Sequence, residues 1–363
     1  MKLLFKIIVF GLLAANLLAL PRFAMMEEVN CSSCHSFSGG GGARNSYGND
    51  YAKESLVFRD VQYPWDNEDD ESSIGIGLDT RYQLVSKPET ELRHFPMQFA
   101  LYANAEFDNL IAHTEVNRIL DEFRITGGVN YSGLPLESYL SLAKALPVMG
   151  WRIDDHTIFT RGGNLSMLGL AREGMPYTPF IEAPIMAEIG SSPISGLEVS
   201  IIMGTPIINS VDSLDSPYFD AVKVNWSYSG EYFSSNLGIA VLDEGQLSQA
   251  QVFTWGLSSM GVVWLGEVSE LSGWPVTEQT NFAMLHQVSY RVFQGLDLIG
   301  RYEFFDPDKD LSNGAIERIS LGVEFFPIPG VELKLGYRSS QLDLPESTPD
   351  PEGQFLTQLH IYL

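Results

Sequence analysis

From residue 73 onward the chain is written in period two. Phe95, Met97, Phe99, Leu101, Ala103, Ala105 and Phe107 fall on one face, with Gln98, Tyr102, Asn104 and Glu106 on the other. Val222, Val224, Trp226 and Tyr228 alternate with Lys223, Asn225, Ser227 and Ser229, and Val331, Leu333, Leu335 and Tyr337 with Glu332, Lys334, Gly336 and Arg338. Successive side chains of a strand point to opposite faces, so each such segment has one apolar and one polar face. A soluble sandwich shows the same alternation with the apolar face inward. Segment length favours the inverted arrangement, because about ten residues is what a tilted strand needs to cross a bilayer. Aromatic side chains stand near segment ends, as in interfacial girdles: Phe95 and Phe107, Tyr290 and Phe293, Phe325 and Phe326. Short turns, such as Ser229-Gly230-Glu231 and Pro327 to Gly330, alternate with long connections at 148–178, 206–217, 266–280, 306–315 and 342–353. Short turns at one end and long loops at the other characterise outer-membrane barrels. The pattern predicts an all-β chain, a transmembrane antiparallel barrel over 73–363. Fifteen segments qualify as strands. Such barrels have even counts, so dropping the weak 110–118 gives about 14 strands, and a strand missed within 148–178 would give 16.

The residues before the barrel read differently. Lys2 and Lys6 precede an apolar run from Ile7 to Ala19. A short basic region, an apolar stretch too brief to span a bilayer and a small residue at its end predict a cleaved signal peptide over 1–19. The chain then works outside the cytoplasm. Its charge is −24, from 22 Lys+Arg against 46 Asp+Glu. Nucleic acid as a partner is excluded on that balance, because phosphate contacts need clustered Lys and Arg. Two cysteines cannot build a disulfide scaffold.

Both cysteines stand in Cys31-Ser32-Ser33-Cys34-His35. C-x-x-C-H is the attachment pattern of a c-type haem. Two thiols three positions apart reach the two vinyl groups, and His35 then sits beneath the iron as an axial ligand. A redox dithiol would ask for a βαβ context, which is missing, and a zinc site for a second ligand pair, for which there is no cysteine. The second axial ligand is open. Met25 and Met26 are candidates, as are the histidines at 94, 113, 156, 286 and 360; so is an iron with no second protein ligand. Arg44 is a candidate partner for a propionate, and Tyr47 and Tyr51 for the edge of the ring. The expected module covers 20–60, too small to sustain a core unaided. An acidic linker, 61–72, containing Asp66-Asn67-Glu68-Asp69-Asp70-Glu71, joins it to the barrel.

Other acidic stretches carry oxygen donors suited to hard cations. Asp306-Pro307-Asp308-Lys309-Asp310 offers carboxylates to calcium, and Asp154-Asp155-His156 mixes carboxylates with an imidazole. A plain loop and a solvated linker are the simpler readings. The alternation places Arg81, Lys223, Arg291, Arg301, Arg318, Lys334 and Arg338 on inward faces, leaving most Asp and Glu to the loops and linker.

Pro21-Arg22-Phe23-Ala24, the haem motif, Gly39 to Asn45 and Tyr47-Gly48 together resemble the leader of fused outer-membrane monohaem cytochrome c–porins. The best-known members of that family are outer-membrane iron oxidases. Gly150 to Thr157 looks like a loop of other haem-bearing barrels, and Glu317 to Arg338 is similar to late strands of phosphate-selective-type porins. The resemblance implies one covalent haem c on Cys31 and Cys34 with His35 as proximal ligand to the haem iron. It also implies electron transfer between a periplasmic carrier and an extracellular donor or acceptor, ferrous iron being one such donor, with the haem module at the periplasmic mouth or inside the lumen. The alternative is a diffusion porin whose haem module is a sensor or plug.

Overall fold

The computed structural model describes residues 21–29, 31–36, 44–61, 63, 74–87, 92–119, 122–153, 155, 157–163, 183–207, 218–245, 248–273, 279–344 and 350–363. The signal peptide, the acidic stretch at 66–71, Asp154 and His156 lie outside the described residues. Sixteen antiparallel strands form one closed barrel. They are β1 (Ile74–Ser86), β2 (Arg93–Phe107), β3 (Leu110–Ile119), β4 (Glu122–Leu134), β5 (Ser138–Lys144), β6 (Ile185–Ile194), β7 (Leu197–Gly204) and β8 (Phe219–Gly230). There follow β9 (Phe233–Asp243), β10 (Gln249–Ser259), β11 (Val262–Ser272), β12 (Thr280–Phe293), β13 (Leu296–Asp306), β14 (Ile316–Phe325), β15 (Val331–Leu342) and β16 (Glu352–Tyr362). Each strand pairs with its sequence neighbours, and β1 closes on β16 with Asp79 opposite Tyr362 and Ser86 opposite Phe355.

The expectation of about 14 strands is corrected to 16, and the extra strand does not come from 148–178. Segment 110–118 is a full strand, β3. The apolar run 252–265 is two strands, folded back at Met260-Gly261 with both residues at positive φ (51° and 77°). That is the backbone of a two-residue hairpin turn, whose usual first residue is Asn, Asp or Gly. With Met in that place and Leu257, Val262 and Val263 on either side, nothing in the composition marks the turn.

Outward positions are apolar and bare. Ile76 is 82% exposed and Leu321 65%, and Phe99, Leu101, Ile189, Ile239 and Phe253 stand open in the same belt. An apolar surface of this extent has no counterpart on a soluble monomer and is matched by lipid. Two of the expected girdle residues are elsewhere. The β1–β2 register shifts between Arg81 and Tyr82, and beyond that bulge Phe95 lies opposite Gln83, an inward, buried residue. An extra residue in one strand reverses the alternation past it. Phe326 is 3% exposed and packs against Phe23, ring centroids 6.0 Å apart, inside the barrel end.

The turns at one end are short, among them 231–232, 260–261 and 294–295, whereas the other end carries 145–184 and 205–218. By that asymmetry the short-turn end is periplasmic. The chain end and Phe58, Arg59 and Tyr63 lie there: Phe58 N–H donates to the Phe326 carbonyl (2.8 Å), Arg59 N–H to that of Pro327 (3.1 Å) and the Tyr63 hydroxyl to that of Pro329 (3.0 Å).

Candidate functional site

The lumen is filled from both ends. In an open aqueous pore the inward charges would be wet. Here Arg318, Glu267 and Asp297 are 0% exposed and Glu303 is 1% exposed. Burial of that degree is tolerable for charges only when they are paired and hydrogen-bonded.

The first filling is the loop after β5. Its Trp151 N–H donates to a Glu267 carboxylate oxygen (2.7 Å), and the indole N–H donates to the Gly266 carbonyl (2.8 Å). Arg161 then grips Glu267 with two parallel bonds, 2.8 and 2.9 Å. Further along, Phe159 N–H donates to Glu303 (3.1 Å) while Arg318 forks onto the same carboxylate at 2.9 and 2.6 Å. The Arg318 guanidinium lies 4.2 Å over the Phe159 ring. Asp155 accepts from Arg301 at 2.5 Å and from both the N–H (3.0 Å) and the hydroxyl (2.6 Å) of Thr157. Burial alone would raise the Asp155 carboxyl; Arg301 and Arg338 outweigh it and hold the group well below the usual carboxylate range.

The second filling is the segment bearing the haem motif. Helix α1 (Pro21–Glu27) is buried over Pro21 to Met25. Arg22 enters the wall between Glu324 and Asp297, the latter 3.6 Å away. Burial would lower its pKa, but the two carboxylates together raise it. Ser234 donates to the Met25 carbonyl (2.9 Å). Helix α2 (Cys31–Cys34) follows, then His35, which forms an antiparallel bridge with Arg44. Asn104 on β2 clamps this bridge, its amide donating to Ser36 Oγ (2.8 Å) and to the Arg44 carbonyl (3.2 Å). Helix α3 (Ser46–Asp50) is capped by Asn45, whose side chain accepts from Gly48 N–H (2.9 Å), while Asn45 N–H donates to the Cys34 carbonyl (3.1 Å). A Cβ on Gly48 would collide with that same carbonyl. Glycine is therefore the residue that lets α3 seat on the end of the motif.

Of the expected haem residues, the structure puts Cys31, Cys34, His35 and Arg44 in one docked unit. Cys34 has a free, half-buried thiol. Burial pushes that thiol up, Arg44 opposing and Glu27 assisting. His35 is buried at 7% exposure, and Arg44 lies 4.5 Å over the Tyr362 ring. Tyr51 packs on Phe23 and donates to Glu27 (3.2 Å), whereas Tyr47 is exposed. Met25 is packed with Trp151, Val263 and Leu265, and Met26 bridges to the Phe23 cluster.

Between the two fillings lies a half-open cavity. Its walls include Arg22 and Phe23 of α1, Arg44, Arg152 and Ile153 of the inward loop, and inward residues of β11–β16. Among the described residues, neither Met25 nor Met26 lines it. Cys34 and His35 do not line it; Arg44 does, and bridges to His35. A half-buried thiol and a buried imidazole are donors of the kind a covalent haem uses.

Among the described residues no group of three or more His, Cys, Asp or Glu could hold an ion. In 306–310, Asp306 and Asp308 accept from the N–H groups two residues on (3.0 and 3.1 Å), and Lys309 pairs with Glu270, which makes an ordinary turn. The seven basic residues expected inside the barrel do face inward. Seven acids, Asp79, Glu188, Glu267, Asp297, Glu303, Glu324 and Glu332, face inward with them, because a buried cation requires a partner. The sequence signal for these acids was present in strand phase, as in Leu265, Glu267 and Ser269 on one face of β11. Which base each acid meets carried no signal.

No family model matches the chain, and no curated protein matches it by sequence. Solved structures do. An anion-selective porin from Comamonas acidovorans superposes with a TM-score of 0.55 at 13% identity, covering 81% of this chain and 100% of that one. The outer-membrane expressed OmpT of Vibrio cholerae gives 0.53 at 11% identity, over 80% and 97%. Salmonella typhi OmpF, solved in complex with daunomycin, gives 0.56 at 9% identity, over 80% and 97%. At these identities the likeness is one of fold: the chain is a closed barrel of the outer-membrane porin kind.

Proposed function

We propose that this chain is a bacterial outer-membrane electron-transfer protein, carrying one haem c on Cys31 and Cys34 with His35 as proximal ligand. It passes electrons between a periplasmic carrier and an extracellular donor or acceptor. The observation that carries this reading is the docking of the C-x-x-C-H segment inside a lumen whose charges are buried and paired. A barrel filled in this way is suited to holding a group in place and poorly suited to free diffusion. When bound, haem supplies a one-electron iron couple. The chain's own contribution is positioning: the His35–Arg44 bridge and Asn104 fix the motif to the wall, α1 anchors it through Arg22, and α3 closes over Cys34. The inward loop keeps water from the centre of the barrel.

The porin fold supports a second reading, a diffusion porin with the haem module as plug or sensor. Protein purified from outer membranes separates the two. The first reading expects covalent haem by in-gel staining, little conductance in planar bilayers, and reduction of an acceptor sealed inside liposomes by an external donor. Cys31→Ala and Cys34→Ala variants should lose staining and electron transfer while retaining a heat-modifiable barrel band. Haem together with steady conductance and no transfer would favour the porin; a colourless protein would end the haem reading.

A further inference from the structure

The lipid-facing wall over β10–β13 breaks its own pattern at mid-height. On such barrels aromatic side chains gather at the two interfaces, with an apolar band between them. The outward positions of β12 run Phe282, Met284, His286, Val288 and Tyr290, so an imidazole stands in the middle of the band, four residues from an aromatic on either side. The strand register brings partners to it. Trp255 lies opposite Gly266, Gly266 opposite His286, and His286 opposite Tyr302, which makes one row across the wall. Trp264 stands beside the row, two positions from Gly266 on the same face of β11.

These side chains pack as a unit. Trp264 stacks on His286, with ring centroids 5.9 Å apart and an angle of 15° between the planes. Trp255 meets His286 edge-on at 5.4 Å and Trp264 at 6.2 Å, and Tyr302 lies 6.5 Å from His286. Gly266 makes room for this. A Cβ there would fall 1.9 Å from an atom of the Trp255 ring, so only glycine lets the indole lie against the strand. The glycine is buried although it faces outward.

The hydrogen bonds leave donors over. Trp264 Nε1–H donates to His286 Nδ1 (3.3 Å). An indole can only donate, so the neutral imidazole carries its proton on Nε2. Among the described residues nothing accepts from His286 Nε2–H or from the indole N–H of Trp255, whereas the Tyr302 hydroxyl is taken by Glu317. Hydrocarbon offers no water to satisfy such groups, and an N–H without an acceptor is costly there. Lipid headgroups lie outside the hydrocarbon core, away from the middle of the band. An acceptor for these donors has to be soluble in hydrocarbon, and the flat faces beside them suit a planar ring.

We propose that Trp255, Trp264, His286 and Tyr302 form a binding site for a membrane-soluble planar carbonyl compound of the quinone class. Its carbonyl oxygen accepts from His286 Nε2–H and its ring stacks on Trp255. The site does not depend on the haem.

The test uses the full-length protein in phospholipid nanodiscs, titrated with a benzoquinone bearing a decyl tail while tryptophan fluorescence is read. Wild-type quenching should saturate. His286→Leu suits the lipid and should weaken binding about tenfold, the loss of one hydrogen bond. His286→Gln restores an N–H and should recover most of that affinity. Gly266→Ala displaces Trp255 and should weaken binding severalfold, while Ile189→Leu, on another wall of the belt, should leave it unchanged. The heat-modifiable band confirms folding in each variant. Quenching that rises without saturation, or saturates alike in wild type and His286→Leu, overturns the proposal. So does an absence of saturable quenching together with a change of oligomeric state in His286→Leu on native gels, because a second barrel then covers the patch.

Discussion

Asp155→Asn strikes the point at which the inward loop meets Arg301. The carboxylate accepts from Arg301 (2.5 Å) and twice from Thr157, and Arg338 stands 3.9 Å away. Asparagine can keep an acceptor for Thr157. It loses the charge, and leaves Arg301 with Gln287 beside Arg338. Breaking a buried ion pair by removing one partner costs about 3–5 kcal/mol. Asp155 is 22% exposed on its side chain, which places the cost nearer about 2–3 kcal/mol. At 1.4 kcal/mol per tenfold, the undocked population of the loop rises roughly 30- to 140-fold. Native-state hydrogen exchange reads this population directly. The Trp151 and Phe159 amides, which donate to Glu267 and Glu303, should exchange faster by that factor, while the β10–β12 amides stay unchanged. The pH dependence has a definite sign. Asp155 titrates well below its ordinary value in the folded state, so its contribution is complete above about pH 4 and is lost only as pH falls through the depressed value. Wild-type loop protection should therefore persist to pH 4 and fail below it, and the Asn variant should lack that acid limb. Unchanged protection in Asp155→Asn at neutral pH, or wild-type opening already at pH 6, would refute the argument.

Arg22→Ala leaves Glu324 and Asp297 in the wall with Lys334, Arg301 and Arg291 to answer them; α1 should undock, at about 3–5 kcal/mol, and the N-terminal segment should become sensitive to protease in detergent-solubilised protein. Gly48→Ala drives a methyl group into the Cys34 carbonyl and should lower haem content per barrel, measured as pyridine haemochrome, without changing the heat-modifiable band. His35→Ala should keep the covalent haem and convert its spectrum to high spin; a low-spin spectrum like that of the wild type would show that another residue is the proximal ligand.

The alternation of Val222 to Ser229 or Val331 to Arg338 is a local property, and it was enough to read a lipid-facing barrel, its inward faces and its two unlike ends. The C-x-x-C-H spacing is local in the same way, five consecutive residues, and the haem it calls for stands as a proposal. Strand number was not, because Met260-Gly261 folds the chain back with a residue that is ordinary in composition, and the fold-back exists only through the pairing of β10 with β11. Phe95 was misplaced because one bulge opposite β1 reverses the phase of everything before it. The expectation put most Asp and Glu in the loops and linker; the seven that face inward do so beside cations, for a physical reason. Strand phase says that Glu267 or Glu303 faces inward, but a buried carboxylate is stable only beside a cation. Those cations, Arg161 and Arg318, come from an inward loop 106 residues away in one case and a neighbouring strand in the other. Sequence determines which face a charge is on; only the closed barrel, with the loop and the N-terminal segment folded into it, decides which charge it meets.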